Sequence, residues 1–165
     1  MLGAGADKTA RVLDISTGQT AQQIAEHEEP IRCARFFTAP QNNSEMVVTG
    51  SWDKTIKYWD LRTPSPVITV PLQGKCYTLD VQKNILVVGT ADRYIQIINL
   101  MEPDKIRKSI QSPLKWQTRV ISCFPDATGF AVGSIEGRCA IQYVEEKDAK
   151  YGFLLAFARE FLLTE

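Results

Sequence analysis

The stretch GSWDKTIKYWD, Gly50 to Asp60, places two Trp, two Lys and two Asp in eleven residues. It begins inside EMVVTGS (45–51), a short β-branched run that closes on a Gly and a hydroxyl residue. It ends in TIKYWD (55–60), which alternates with the period of a sheet buried on one face. The residues between are few enough for a hairpin turn, and an acid there suits turn chemistry. The same arrangement recurs in NILVVGT (84–90) before YIQIINL (94–100), and in GFAVGS (129–134) before RCAIQYV (138–144). Each pair reads as a β-hairpin.

The hairpins form a series. GADKTARVLD, GSWDKTIKYWD, GTADRYIQIINL and GSIEGRCAIQYV align on Asp7, Asp53, Asp92 and Glu136, at intervals of 46, 39 and 44 residues. A period of about 40–45 residues with four strands per unit is the signature of a β-propeller blade. GSWDKTIKYWD resembles a WD40 repeat. In that family a His, a hydroxyl, an Asp and a Trp join in a hydrogen-bond relay. The resemblance assigns these roles to His27, Thr49, Asp53 and Trp59. A buried carboxylate needs such donors. The alternative for His27, a catalytic base, lacks a nearby nucleophile. The aligned Trp position is Leu13, Ile98 and Gln142 elsewhere, and the hydroxyl position is Val88 or Val132 in the two later units. Only one unit can therefore hold the full relay.

Composition narrows the function. Nineteen basic and nineteen acidic residues cancel over 165 positions, so overall charge does not call for nucleic acid. The four cysteines, Cys33, Cys76, Cys123 and Cys139, lack the close spacing of metal sites and read as reduced, mostly buried thiols of an intracellular protein. The N-terminus has no basic-then-apolar signal pattern. No run approaches the roughly 20 apolar residues of a membrane helix. There is no nucleophile elbow, phosphate-binding Gly loop or HExxH pair, so neither an enzyme, a cofactor nor a metal is expected.

Longer segments carry a narrower resemblance. LGAGADKTARVLD, AEHEEPIRCARFFTAP, MVVTGSWDKTIKYWDLR, KCYTLDV, SPLKWQTR and TGFAVGSIEGRCAIQYV resemble the nuclear-pore mRNA export factors of the WD40 class, from about residue 2 to 148. SPLKWQTR and GSIEGR are shared with the mitotic-checkpoint propeller of the same group. The insertion FFTAPQNNSEMV favours the export factors. The resemblance implies an all-β fold, a WD40 β-propeller fragment of about three and a half blades of a seven-bladed ring. Residues 1–15 are expected to supply the last two strands of a truncated blade. Residues 16–62 form the WD repeat blade, 63–101 and 102–147 two degenerate blades, and 148–165 an unassigned tail. That tail, DAKYGFLLAFAREFLLTE, would put Phe153, Leu154, Phe157 and Phe161 on one face if helical, or supply an outer strand if extended. An open ring leaves apolar faces in water, which favours association.

The resemblance also implies a partner, an acidic nucleoporin or checkpoint-kinase segment of the GLEBS type. Its acids would meet Arg119 and Arg138, with Lys115 and Trp116 as weaker candidates. An Arg can hold a carboxylate with two parallel hydrogen bonds. The surface-solubiliser reading of these arginines stands beside this one. Trp52 and Trp116 suit either a partner surface or the core. KIRKSIQSPLKWQTR (105–119) carries five basic residues and no acid, so contact with mRNA or a messenger ribonucleoprotein stays open. The expected role is an adaptor in mRNA export at the nuclear envelope. A kinetochore checkpoint adaptor, an RNA-binding propeller and an inactive product are the alternatives.

Overall fold

The computed structural model describes residues 1–156. Four antiparallel sheets follow one another along the chain. The first joins β1 (Leu2–Ala4), β2 (Thr9–Leu13) and β3 (Thr20–Glu26). The second joins β4 (Ile31–Thr38), β5 (Glu45–Ser51), β6 (Thr55–Asp60) and β7 (Ile68–Pro71). The third joins β8 (Cys76–Gln82), β9 (Ile85–Thr90), β10 (Tyr94–Asn99) and β11 (Ile106–Gln111). The fourth joins β12 (Thr118–Cys123), β13 (Gly129–Ser134), β14 (Arg138–Tyr143) and β15 (Leu154–Ala156). A 3-10 turn at Glu146–Tyr151 precedes β15.

Sheets and sequence units are offset by one strand. Units 16–62, 63–101 and 102–147 each open with the outer strand of the preceding sheet, namely β3, β7 and β11. The unit 1–15 supplies β1 and β2, and β3 adds a third strand to their sheet. Within the tail, Leu154–Ala156 is extended and pairs with β14. Phe157 and Phe161 lie outside the described residues.

The corners at the four turn acids share one geometry. The residue after each acid has positive φ: Lys8 (67°), Lys54 (65°), Arg93 (62°) and Gly137 (78°). Such a left-handed residue closes a three-residue hairpin loop. In the two DKT copies the acid fixes the loop by accepting from the Thr two positions on. Thr9 N and Oγ1 donate to Asp7, and Thr55 N and Oγ1 donate to Asp53.

Period-2 alternation sends each strand's side chains into two interfaces. Val47 and Trp59 pack with Ala10, Ile24 and Ile31 between the first and second sheets. Val48, Ile56 and Tyr58 turn the other way, onto Leu79, Leu86, Val88 and Ile98 of the third. Val87, Ile95 and Ile97 then meet Ile121, Phe130 and Val132 of the fourth. Apolar side chains buried this deeply are worth about 1.5–3 kcal/mol each.

First strands pack on first strands, β4 on β8 and β8 on β12. Asp80 ties three of them together. It accepts from Arg35 Nε on β4 (3.2 Å) and from the Cys123 backbone N–H on β12 (2.8 Å). Close approach also requires glycine on the second strand. A Cβ at Gly89 would lie 2.9 Å from Ile121 Cδ1 and 2.9 Å from Thr78 Cγ2. The same crowding at Gly50 and Gly133 accounts for the glycine near the end of β5, β9 and β13.

Candidate functional site

One end of the sheets carries the hairpin corners and the loops that lead into each first strand. Backbone bonds hold these together: Trp52 N to Pro30 O, Ala91 N to Lys75 O, and Ile135 N to Gln117 O. The relay residues lie just beneath this end. His27 Nδ1 is 2.7 Å from Asp53 Oδ2, and His27 Nε2 is 2.7 Å from Thr49 Oγ1. Trp59 Nε1 donates to the same Thr49 oxygen at 2.8 Å. An indole N–H can only donate, so Thr49 accepts from it and can give its own proton to His27 Nε2. The neutral ring then carries its proton on Nδ1, facing the carboxylate. Burial lowers the His27 pKa, against the pull of Asp53. Burial raises the Asp53 carboxyl, but hydrogen bonds from Thr55 and His27 outweigh it and the net shift is downward. With His27 only 3% exposed, this chain of bonds has the form of a structural tie.

A different feature builds a surface at this end. Each first strand carries a bulge near its start. Pairing slips between Ile31 and Cys33, between Cys76 and Thr78, and between Thr118 and Val120. The extra residues are Arg32, Tyr77 and Arg119. A bulged residue is released from the ladder and its side chain is re-aimed. These three converge with Trp52, Gln117 and Thr118 around a cavity of about 150 Å³. Trp52 stacks at a tilt on Tyr77, with ring centroids 6.4 Å apart, and Lys75 Nζ stands 5.4 Å from the Trp52 ring. Among the described residues no carboxylate lines the cavity. Thr118 Oγ1 is buried there without a hydrogen-bond partner among them. Arg32, Tyr77 and Arg119 also border a second cavity of about 360 Å³ along the first strands. The arrangement suits an anionic group held between two guanidinium groups and aromatic walls.

Comparison with known proteins agrees with this architecture. The family described as WD domain, G-beta repeat matches residues 18–60. The chain is 61% identical over 153 residues to mRNA export factor GLE2 of Chaetomium thermophilum, covering 93% of this chain and 42% of that protein. It is 52% identical to the Poly(A)+ RNA export protein of Schizosaccharomyces pombe, covering 89% and 41%. Residues 18–60 of the chain carry a WD40 repeat. Its homologues within the WD40 family include these mRNA export factors, and it spans under half of their length. A more distant WD40 relative is mitotic checkpoint protein bub-3 of Caenorhabditis elegans, 37% identical over 86% of this chain and 40% of that one. The designed protein Ika4 shares the fold, with a TM-score of 0.72 at 22% identity, covering 87% of this chain and 84% of its own.

Within this WD40 scaffold the candidate residues separate. Arg119 borders the cavity. Arg138 begins β14 at the same end, outside the cavity, with its Nε 3.7 Å from Glu136 Oε2. β13 runs between the strands that carry these two arginines, so their backbones lie about 10 Å apart by strand spacing. Lys115 and Trp116 are exposed on the loop before β12, Trp116 by 56%. Arg93 pins that loop by donating to Leu114 O and Lys115 O. Lys105, Arg107 and Lys108 fall on or beside β11, an outer strand, where charge guards a free edge. Lys105 pairs with Glu102 and Arg107 with Glu145.

Sequence reasoning passed over Arg32, Tyr77 and Asp80. A signal existed, since Arg32, Tyr77 and Arg119 occupy the same place in successive units. The cysteines also differ from expectation. Only Cys76 is fully buried, and the other three are half-buried. Cys33 and Cys76, far apart in sequence, stand 3.5 Å apart.

Proposed function

We propose that this chain acts as a binding adaptor in nuclear mRNA export and docks an acidic GLEBS-type nucleoporin segment on its corner-bearing end. The observation that supports the reading most is the cavity between Arg32 and Arg119, walled by Trp52 and Tyr77 and lacking a lining acid. A glutamate side chain entering it meets two forked donors, Arg32 and Arg119. Arg138 extends the basic surface across one strand, toward a second acid. The export-factor names of the relatives favour messenger particles as the cargo and the nuclear pore as the location.

Fluorescence anisotropy with a labelled GLEBS peptide tests this. Arg119→Glu and Arg138→Glu each weaken binding at least tenfold, with an unchanged unfolding midpoint. Undiminished binding by both variants removes the proposal. The likeness to a mitotic checkpoint protein supports a second reading, in which a checkpoint-kinase segment uses the same surface. Competition between the two peptides separates these clients. Direct RNA binding through 105–119 is the less favoured outcome, because Lys105 and Arg107 already pair with acids. It would show as affinity for RNA falling steeply with salt.

A further inference from the structure

Cys33 and Cys76 lie on the first strands of adjacent sheets, 43 positions apart, with sulfurs 3.5 Å from each other. Both rest on Gly50, where an added Cβ would overlap Cys76 Sγ and lie 3.2 Å from Cys33 Sγ. The absent side chain is what lets the two sulfurs meet. A disulfide needs about 2.05 Å between sulfurs, so a closing movement of roughly 1.5 Å suffices. The two thiols differ in access. Cys33 is half-exposed and borders the 360 Å³ cavity, together with Arg32, Arg35 and Arg119. Cys76 is fully buried behind it.

We propose that Cys33 and Cys76 form an oxidisable dithiol, closed to a disulfide between neighbouring sheets by an anionic low-molecular-weight disulfide such as oxidised glutathione. The surrounding guanidinium groups of Arg32, Arg35 and Arg119 attract the carboxylates of that reagent to the cavity that Cys33 borders. Cys33 thiolate attacks one glutathione sulfur, a mixed disulfide forms, and one glutathione thiolate leaves. Cys76 then loses its proton and attacks Cys33 Sγ, expelling the second glutathione. Two protein thiols are oxidised by two electrons, and one glutathione disulfide becomes two thiols that carry the two protons. The order follows from access. It is also consistent with the Cys76 thiol, which its hydrogen bond to Cys33 and its burial hold well above the ordinary range.

The 165-residue chain is incubated with oxidised glutathione, quenched with acid, and mapped by intact mass and tryptic digestion. Trypsin isolates Cys33 in residues 33–35 and Cys76 in residues 76–83. The expected product has lost two hydrogen masses, carries no glutathione at this pair, and yields those two peptides cross-linked. Cys76→Ser instead stops at one glutathione on Cys33, and Cys33→Ser leaves Cys76 unmodified. Glutathione retained on Cys33 of the unsubstituted chain, or reaction confined to Cys123 and Cys139, overturns the proposal. The mapping of the unsubstituted chain decides the matter even where a serine variant folds poorly.

Discussion

Replacing Thr49 by Val keeps the shape of the side chain and deletes one oxygen. That oxygen serves two partners, Trp59 Nε1 at 2.8 Å and His27 Nε2 at 2.7 Å. Thr49 is 0% exposed, Trp59 and His27 3% each, so water does not replace it without repacking. Each buried polar group left unpaired costs about 1–3 kcal/mol. Volume is conserved, so no cavity penalty is added. Thr49→Val is therefore expected to destabilise the chain by about 2–6 kcal/mol. At roughly 2–4 °C per kcal/mol for a chain of this size, the thermal midpoint drops by about 4 °C at the least. Thr49→Ser is the control. It keeps the hydroxyl and loses one methyl, worth about 0.8 kcal/mol. Urea unfolding followed by tryptophan fluorescence measures both. In the Trp59→Phe background the cost of Thr49→Val shrinks, because one of the two stranded groups is gone. A Thr49→Val chain within about 0.5 kcal/mol of its parent would refute the view that the relay stabilises this sheet interface.

Gly50→Ala drives a Cβ into Cys76 Sγ and to within 2.9 Å of Leu79 Cδ2. Overpacking of this kind costs about 1–3 kcal/mol. Adding Cys76→Ala recovers part of the loss, and no recovery in urea unfolding would place the strain elsewhere. Stability also depends on pH. His27 has a folded pKa below its ordinary 6.5, so the unfolded chain binds the proton more readily. Its contribution is full above pH 6.5 and is lost as pH falls through the lowered value. Asp53, lowered from 3.8, adds a second loss at still lower pH. Unfolding midpoints that stay flat from pH 7 to pH 5 contradict the first step. Arg32→Glu, a substitution outside the relay, weakens GLEBS-peptide binding about 10–100-fold through loss of a charge-assisted pair. Titration calorimetry that shows no loss removes Arg32 from the site.

The repeat was legible because its determinants are local. A turn acid, the residue after it and the alternating strand that follows lie within ten positions, and chain sterics fix their geometry. The relay was legible only through family resemblance, since His27 and Asp53 are 26 positions apart. What stayed hidden depends on pairing between strands. The bulges at Arg32, Tyr77 and Arg119 exist only relative to the partner strand. The same holds for the contact of Cys33 with Cys76 and for the tie that Asp80 makes between three first strands. The offset between sequence units and sheets has the same origin. A hairpin corner marks where two strands join, and gives no sign of which neighbour holds the outer strand.

Among the described residues only the second sheet has the full relay, yet the third and fourth also bury apolar second strands. Their second strands keep the glycine opposite the bulge and place Val88 and Val132, both fully buried, where Thr49 stands. Apolar contact has replaced hydrogen bonding, and that replacement is permissible because a missing donor and a missing acceptor vanish together. The bulge is under a different constraint. Its backbone is needed to let first strands approach, but its side chain is free of the ladder and of the core. Such a position can change residue type at little cost to the fold, as Arg32, Tyr77 and Arg119 illustrate. A WD40 scaffold can therefore keep its packing while altering what it presents at one end.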